Sequence, residues 1–430
     1  MSVTAVIFIT FVGLLFIGAP ITLSLGAAAM GGMIVSGKPL EGLVEIAYTS
    51  VNSFPIMALP AFILSGALME SAGLSRRLVA VAEAMAGPFT GGMATSTILS
   101  CLFFGAISGS GPATTAAVGM LMIPAMTRHG YARGYAGAVT SSSGGLGVVI
   151  PPSIPMVIYG VAASQSIAAL FIAGFIPGVM LAVGLMTMNY IQSKRKGFQG
   201  DGKTLSAKTI VVAMKEGFWA LLAPVIILGG IYTGFFTPTE AAIVAIFYTL
   251  FVGIFIYREI ELKGVMKALE STTWITGRVL IIMFTALAFG QLLTINKIPD
   301  LIAQALLDFT GNLYLIWVLI IIFLLFMGMF METLATIMLV TPVLLPVMVS
   351  LGVDPIHFGV VLVCCCEIGF ATPPLGENMF VASGVARTTL EDISVNALPF
   401  VFVSVMVVFL IAYFPALTLW LPDLLGTLIK

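Results

Sequence analysis

The sequence predicts an all-α polytopic membrane protein made of two inverted-topology repeats, which contain re-entrant helical hairpins and broken helices. Three observations lead to this fold class: an apolar composition, an internal repeat and the distribution of positive charge. Of the 430 residues, 60% are hydrophobic and only 9% are charged, whereas a soluble domain carries about 25% charged residues. A water-facing surface cannot be built from such a chain, so lipid must be its main solvent.

The first repeat is expected to occupy residues 1–195. A helix that spans the membrane needs about 20 apolar residues. On that basis the apolar runs predict scaffold helices at 1–70, a hairpin at 89–127 and a broken helix at 131–165. The first four residues lack the basic segment of a signal peptide, so the first apolar run is expected to be retained.

The second repeat is expected to occupy residues 220–430, after a cytoplasmic linker at 196–219. It follows the same order of segments. The apolar runs predict scaffold helices at 220–295, a hairpin at 311–349 and a broken helix at 353–387.

Sliding the chain against itself by 222 residues shows that the two halves are related. Between residues 102 and 177 the ungapped comparison contains fourteen identities, and seven of these are Gly or Pro. The pair Pro151-Pro152, for example, falls on Pro373-Pro374. Gly and Pro fix backbone shape rather than hydrophobicity, so an apolar composition alone does not produce these matches. We therefore interpret the two halves as a duplication.

Positive charge orients the two halves, because cytoplasmic loops of membrane proteins are enriched in Lys and Arg. With residues 193–208 in the cytoplasm and each hairpin entering and leaving on one side, each repeat crosses the membrane five times. An odd number of crossings inverts the second repeat, as in many secondary transporters, and places both chain ends in the periplasm. If the two short apolar segments on either side of Pro20 formed a single kinked helix, the first repeat would cross the membrane an even number of times. The basic side chains at the inner side are then Arg76, Arg77, Arg128, Arg133, Arg258, Lys263, Lys267 and Arg387, and those outside are Lys38, Lys297 and Lys430.

Four stretches place backbone-breaking and hydroxyl-bearing residues in the middle of apolar segments, at 108–115, 141–153, 331–336 and 367–378. Irregular backbone at membrane depth survives only where it is buried in protein or lines a watery cavity. Its free carbonyls and hydroxyls suit a hard cation such as Na⁺, and half-helix N-termini suit an anion. Small residues can also serve close helix packing alone, but four stretches at symmetric positions favour a binding centre.

Nothing in the sequence indicates bond-breaking chemistry, so an enzyme is not expected. The chain has no HExxH, GxSxG or P-loop motif. Its four cysteines, at 101 and 364–366, lie in apolar runs, which predicts core packing rather than disulfides or metal ligation.

Few titratable residues lie inside the apolar segments. Glu332, Glu367 and Glu377 are the deepest acids, and acids within a membrane are candidates for function. His129 and His357 flank loops and are expected at the surface rather than in a proton relay.

A further set of motifs runs through both halves of the chain. It consists of Phe103-Phe104-Gly105-Ala106-Ile107-Ser108-Gly109-Ser110, Ile123-Pro124-Ala125-Met126, Gly130-Tyr131, Ile150-Pro151-Pro152-Ser153-Ile154-Pro155-Met156-Val157-Ile158-Tyr159-Gly160, Ala173-Gly174 with Ile176-Pro177-Gly178, and Thr372-Pro373-Pro374 with Gly376. Over essentially the whole chain, the set closely resembles the large membrane subunit of tripartite ATP-independent periplasmic (TRAP) transporters. Many members carry an acid shortly after Ser-Gly-Ser, where this chain has Gly111-Pro112-Ala113-Thr114-Thr115.

The resemblance implies an elevator-type, ion-transporter-like fold in the bacterial inner membrane, with a scaffold domain and a moving transport domain. It implies Na⁺ as the coupling ion, no other cofactor, and a carboxylate solute of the sialic acid or C4-dicarboxylate type. The implied partners are a small four-helix membrane subunit, a periplasmic substrate-binding protein and the lipid bilayer, without nucleic acid.

Transferred residue by residue, the family pattern places the binding centre at the two hairpin tips and the two broken helices. The residues expected to bind the solute are Ser108, Ser110, Thr114, Ser143, Gly145, Ser153, Glu332, Thr336 and Asn378. The residues expected to bind Na⁺ are Ser108, Ser110, Gly147, Glu332, Thr333, Thr336, Gly369, Thr372 and Gly376.

The alternative to a TRAP subunit is a stand-alone dicarboxylate carrier coupled to Na⁺ or H⁺. An intramembrane enzyme or channel is a third reading, but no nucleophile–base pair, metal-ligand cluster or pore-like ring motif supports it. The sequence offers no long hydrophilic stretch outside the membrane to capture solute, which favours a separate binding protein.

Overall fold

The protein is built from helices. The computed structural model describes residues 2–200, 202 and 205–428, and within these residues there is no β-strand. In the first half the helices are α1 (Val3–Phe16), α2 (Ile21–Val35), α3 (Glu41–Val51), a 3₁₀ turn (Phe54–Met57), α4 (Ala58–Ser71), α5 (Leu74–Ala86), α6 (Gly92–Ser108), α7 (Gly111–Arg128), α8 (Arg133–Gly144), α9 (Leu146–Val149), α10 (Ile154–Ala162) and α11 (Ile167–Lys196).

The second half continues with helices of similar length. They are α12 (Ala207–Glu216), α13 (Phe218–Tyr232), α14 (Pro238–Phe251), a π-helical turn (Val252–Ile256), α15 (Leu262–Ile295), α16 (Ile298–Phe309), α17 (Leu313–Phe330), α18 (Thr333–Ser350), α19 (Pro355–Phe370), α20 (Glu377–Ala386), α21 (Leu390–Tyr413) and α22 (Ala416–Leu428).

The chain is a multi-pass membrane protein. Among the described residues, seven helices are long and apolar enough to cross a membrane, and up to nine spans result if each of two bent helix pairs counts as one. The bent pairs are α8–α9 with α10, at 46°, and α12 with α13, at 65°. The predicted all-α polytopic fold class is confirmed.

Helices α1 and α2 are two segments rather than one kinked helix. Gly18 adopts a φ of +79°, and Pro20 directly precedes α2. A positive φ is readily adopted only by glycine, and it turns the chain so that α1 and α2 pack against each other. The structure thus contains the two short segments that the predicted parity needs, while the number of membrane crossings stays a prediction.

Two helix–turn–helix units lie where the sequence predicts hairpins. The first joins α6 to α7 through Gly109 and Ser110, and the second joins α17 to α18 through Met331 and Glu332. Helices α7 and α18 begin and end 222 residues apart, which is the spacing of the internal repeat. These bounds support the duplication, whereas the re-entrant path and the inversion of the second repeat stay predictions.

Two further helices are interrupted by proline pairs. The first break separates α9 from α10 and contains Pro151-Pro152, and the second separates α19 from α20 and contains Pro373-Pro374. Proline lacks the backbone N–H that a helix needs and clashes with the preceding turn. Each pair therefore ends one helix and leaves backbone polar groups available at the break.

Helix α15 lies where two groups of helices meet. It packs against α2, α3 and α4, and it also packs against α18 of the second hairpin unit. The interrupted helices and hairpin units pack among themselves: α7 contacts α8 and α20, and α19 contacts α17 and α18. Helix α4 in turn packs against α6 of the first hairpin unit and against α10, so the outer helices contact the helices of the hairpins and breaks through both α15 and α4.

The predicted linker at 196–219 is partly helical, because α12 lies within it. Its apolar residues recur at helical spacing, and no residue of α12 is buried. Lys203, which belongs to the segment 193–208 that is predicted to be cytoplasmic, and Lys430 at the chain end lie outside the described residues.

The expectation that both histidines lie at the surface is wrong for His357. His129 is exposed, but His357 is only 1% exposed because α21 and α22 pack over the start of α19. Its Nδ1 lies 2.8 Å from Thr418 Oγ1, and its Nε2 lies 3.2 Å from the Ala412 carbonyl oxygen. His357 therefore ties three helices together.

Candidate functional site

A cavity of about 340 Å³ is lined by both hairpin turns. Its other walls come from α4, α6, α9, α15 and α19 and from the first residues of α10 and α20. Small-molecule sites in proteins have volumes of about 300–1,000 Å³. The cavity is thus large enough for a small metabolite.

Four helices begin at the wall of this cavity. Gly111 starts α7, Ile154 starts α10, Thr333 starts α18 and Glu377 starts α20, and all four residues line the cavity. The first N–H groups of a helix have no partner within the helix and carry partial positive charge. Four such ends around one cavity suit the acid group of an anion.

The first hairpin turn is held by its own hydroxyl groups. The Ser110 side chain caps α7, and the Ser110 carbonyl accepts hydrogen bonds from the Thr114 hydroxyl at 2.7 Å and the Ser108 hydroxyl at 3.4 Å. The Ile154 N–H donates to the Gly109 carbonyl at 3.4 Å. The hairpin turn is therefore tied directly to the first helix break.

Close backbone contact between α6 and α9 fixes the hairpin against the broken helix. A Cβ added to Gly105 would lie 2.6 Å from the Gly147 Cα atom. Such a distance is shorter than any ordinary carbon contact, so a larger side chain at Gly105 would push the two helices apart. The Gly105–Gly147 contact sets the position of the hydroxyl-rich turn.

Charged side chains meet at the second hairpin turn. Arg278 Nη2 on α15 lies 2.8 Å from Glu332 Oε2. The adjoining Thr333 hydroxyl donates to Glu367 Oε1 at 2.8 Å. The turn therefore contacts both the outer helix α15 and the interrupted helix α19.

Several buried polar atoms beside the cavity have no hydrogen-bond partner within the described part of the chain. They include Glu367 Oε2 and both amide atoms of Asn378. A Cβ added to Gly111 would lie 2.6 Å from Glu367 Oε2 and 3.3 Å from each Asn378 amide atom, so both side chains meet the first residue of α7. An uncompensated buried carboxylate is costly, and a bound cation or proton would relieve that cost.

Three of the residues expected to bind solute, Ser108, Ser110 and Glu332, line the cavity. Gly145 instead lines a smaller cavity together with Ser142 and Glu367. The others are buried and do not line the main cavity: Thr114, Ser143, Ser153, Thr336 and Asn378. The Ser143 hydroxyl donates to the Val139 carbonyl at 2.7 Å, and the Ser153 hydroxyl caps α10.

Among the remaining residues expected to bind Na⁺, Thr333 also lines the cavity. Gly147, Gly369 and Gly376 lie at close backbone contacts within the hairpin and break region. The Thr372 hydroxyl donates to the Ile368 carbonyl at 2.6 Å. The ligand roles of these residues stay predictions.

Two charged residues of the cavity were missed by the sequence reasoning: Glu70 on α4 and Arg278 on α15. Each is a charge within a helix that is apolar enough to span a membrane. A charge in such a segment is itself a signal of function, so both could have been found.

Comparison with known proteins places the chain among transport proteins. Residues 8–417 match the family described as "Tripartite ATP-independent periplasmic transporter, DctM component". The chain is 44% identical over 416 residues to the isethionate TRAP transporter permease protein DctMQ of Oleidesulfovibrio alaskensis, covering 96% of this chain and 66% of that protein. It is 38% identical over 404 residues to the C4-dicarboxylate TRAP transporter large permease protein DctM of Pseudomonas aeruginosa, covering 94% of each.

A solved structure shares the fold. The YdaH transporter of Alcanivorax borkumensis superposes with a TM-score of 0.62 over 98% of each chain, at 14% sequence identity. At this identity the likeness concerns the fold alone.

Proposed function

Because the chain belongs to the DctM component family of tripartite ATP-independent periplasmic transporters, we propose that it carries a small organic acid through the bacterial inner membrane together with Na⁺. The candidate solutes are a C4-dicarboxylate, isethionate and sialic acid. C4-dicarboxylate and isethionate appear in the names of two relatives that this chain resembles. Sialic acid is a solute type that the resemblance of the sequence motifs to the family implies.

The observation that carries this proposal is the start of four helices at one cavity lined by serine hydroxyls. Partial positive charge at helix N-termini stabilises carboxylate and sulfonate oxygens alike. Helices that begin at mid-membrane around a solute are typical of secondary transporters. An organic anion is therefore the solute class that suits the cavity best.

Coupling to Na⁺ is supported by the oxygen atoms beside the cavity. The unpartnered Glu367 Oε2, the Asn378 amide and the unpartnered Thr336 hydroxyl are buried in the described structure. Carboxylate, amide and hydroxyl oxygens are the ligands that hard cations prefer. A cation there would neutralise the buried carboxylate, so that the incoming acid would no longer meet its negative charge.

The proposed movement is that of an elevator. The hairpin units and the interrupted helices would travel as one body against the outer helices that include α2, α3, α4 and α15. A small four-helix membrane subunit would widen the stationary part, and a periplasmic binding protein would deliver the solute. The chain spans about two thirds of the length of the isethionate protein, so these partners are proposals for this chain.

Reconstitution tests the proposal. The purified chain would be placed in proteoliposomes with an inward Na⁺ gradient, and uptake of radiolabelled isethionate, succinate and N-acetylneuraminate measured with each candidate partner added in turn. We expect uptake of one acid only when both partners are present. Strong uptake by the chain alone would favour the stand-alone carrier, and no uptake of any acid in the complete mixture would contradict the proposed solute class.

A further inference from the structure

The ion pair between Arg278 and Glu332 lies in the wall of the cavity. Arg278 Nη2 and Glu332 Oε2 are 2.8 Å apart, and the two side chains are 60% and 24% exposed. Both residues line the cavity. The pair therefore borders space that a solute can enter, and it is not locked inside the protein core.

Formal charge around the cavity is unequal. Among the described residues that line it, Arg278 is the only cationic side chain, whereas Glu70, Glu332, Glu367 and Glu377 are acidic. An organic anion in this space meets repulsion from ionised carboxylates and a full positive charge only at Arg278. The helix N-termini add partial charges, whereas the guanidinium adds a full charge and can form two parallel hydrogen bonds to the oxygens of a carboxylate or sulfonate.

We propose that Arg278 binds the acid group of the solute, and that Glu332 holds Arg278 in the absence of solute. Solute binding then exchanges one anionic partner of the guanidinium for another. This inference rests on the proposed function, because it requires an organic acid as the solute. An ion pair as exposed as this one is weak, so an incoming acid group displaces Glu332 readily.

The exchange has a structural consequence because the two residues belong to different groups of helices. Arg278 lies on α15, which packs against α2, α3 and α4. Glu332 is the residue directly before α18, in the turn of the second hairpin unit. Displacing Glu332 removes a charged contact between the outer helices and the hairpin that is proposed to move.

A purely structural ion pair predicts the opposite effect for substitution of Glu332. If the pair only held α15 to the hairpin, removing either charge would have a similar effect. Exchanging the two charges would then restore function. If Arg278 is the solute's receptor and Glu332 its competitor, the two single substitutions act in opposite directions.

The test compares Arg278→Gln, Arg278→Lys, Glu332→Gln and the exchange Arg278→Glu with Glu332→Arg. Uptake of isethionate, succinate and N-acetylneuraminate is measured in the complete reconstituted system at saturating Na⁺, so that any role of Glu332 in Na⁺ binding does not limit the rate. We expect Arg278→Gln to raise the solute concentration for half-maximal uptake by about tenfold or more, since hydrogen bonds between charged groups are strong. Arg278→Lys is expected to fall between Arg278→Gln and the original chain.

Glu332→Gln is expected to lower the half-maximal concentration up to about fivefold, the range set by weak exposed ion pairs. The charge exchange is expected to stay as impaired as Arg278→Gln. A rise in the half-maximal concentration with Glu332→Gln, or recovery of uptake in the chain with exchanged charges, would show that the ion pair only holds α15 to the hairpin. Either result would overturn the inference.

A matched control is available in the same protein. Arg76 pairs with Glu259 at 3.4 Å, with side-chain exposures of 70% and 27%, away from the cavity. Arg76→Gln removes a similarly exposed ion pair and is expected to leave the half-maximal concentration unchanged. If the original chain takes up none of the three acids, the proposed function fails and the inference fails with it. If it takes up an acid and Arg278→Gln has no effect, only the inference is wrong.

Discussion

The carboxyl group of Glu367 is buried where the second hairpin unit meets the start of α7. One oxygen accepts the Thr333 hydroxyl at 2.8 Å, and the other has no partner in the described structure. A buried carboxylate without a counter-charge is expensive. A coupling cation would therefore interact strongly with this oxygen.

Replacement of Glu367 by Gln is expected to raise the Na⁺ concentration for half-maximal uptake by about tenfold. An interaction with a charged group contributes about 1.5–3 kcal/mol, and about 1.4 kcal/mol corresponds to a factor of ten. Glutamine can still accept the Thr333 hydroxyl, so folding should be retained. The measurement is initial uptake against Na⁺ concentration at constant pH and ionic strength.

The control for this change is Glu391→Gln, which removes the same charge from an exposed position in α21. It is expected to leave the Na⁺ dependence as it is. An unchanged Na⁺ dependence in Glu367→Gln as well would mean that Glu367 does not take part in coupling.

Single residues differ in how far the sequence could predict them. Ser108, Ser110 and Glu332 were expected at the site and do line the cavity. The Gly-rich surroundings of the two serines and the acidic side chain of Glu332 within an apolar region are visible in the sequence. Arg278 could have been found as a charge within an apolar helix, but its contact with Glu332 at 2.8 Å joins distant parts of the chain and is visible only in the structure. The burial of His357 was missed because it depends on α21 and α22, which come much later in the sequence.

Comparing substitutions at two of the buried threonines of helix α18 distinguishes a ligand role from burial alone. Thr336 and Thr341 are both buried, and neither hydroxyl has a hydrogen-bond partner in the described structure. Only Thr336 belongs to the predicted Na⁺ site near the hairpin turn. The two positions therefore form a matched pair on one element.

Thr336→Ala is expected to raise the Na⁺ concentration for half-maximal uptake several-fold, because one neutral oxygen ligand is lost. Thr341→Ala is expected to leave it unchanged. Both variants should keep thermal stability close to that of the original chain, since no hydrogen bond is broken. Equal effects of the two substitutions on Na⁺ dependence would contradict the predicted site.

Elements defined by Gly and Pro were the easiest to predict. The hairpin turn at Gly109 and the breaks at the two proline pairs lie within the stretches marked in the sequence, whereas the turn at Met331 and Glu332 contains neither Gly nor Pro. Local backbone chemistry dictates these features. Helix α12 within the predicted linker and the full extent of α15 were not anticipated, because α12 and the beginning of α15 are not continuously apolar.

The whole molecule is predicted to have an inverted duplication with five crossings in each half. A cysteine added at either chain end should then react with an impermeant thiol reagent applied from the periplasmic side of spheroplasts. A cysteine at Lys208 should react only after the membrane is opened. The four native cysteines are buried, so the background of labelling should be low.

The pattern of labelling shows whether each half crosses the membrane an odd or an even number of times. Reaction at one end and protection at the other would mean an even number of crossings in one half, and the duplication would then not be inverted. Labelling of the Lys208 position in intact spheroplasts would reverse the predicted orientation of the whole chain.

The central claim is that this protein couples the movement of an organic acid to that of Na⁺. The most direct measurement is simultaneous uptake of radioactive sodium and a radiolabelled acid into proteoliposomes that contain the chain and its partners. We predict that acid uptake requires external Na⁺, that sodium influx rises only when the acid is present, and that Glu367→Gln weakens both together. Equal acid uptake with choline in place of Na⁺ at constant pH, without acid-dependent sodium influx, would contradict the account.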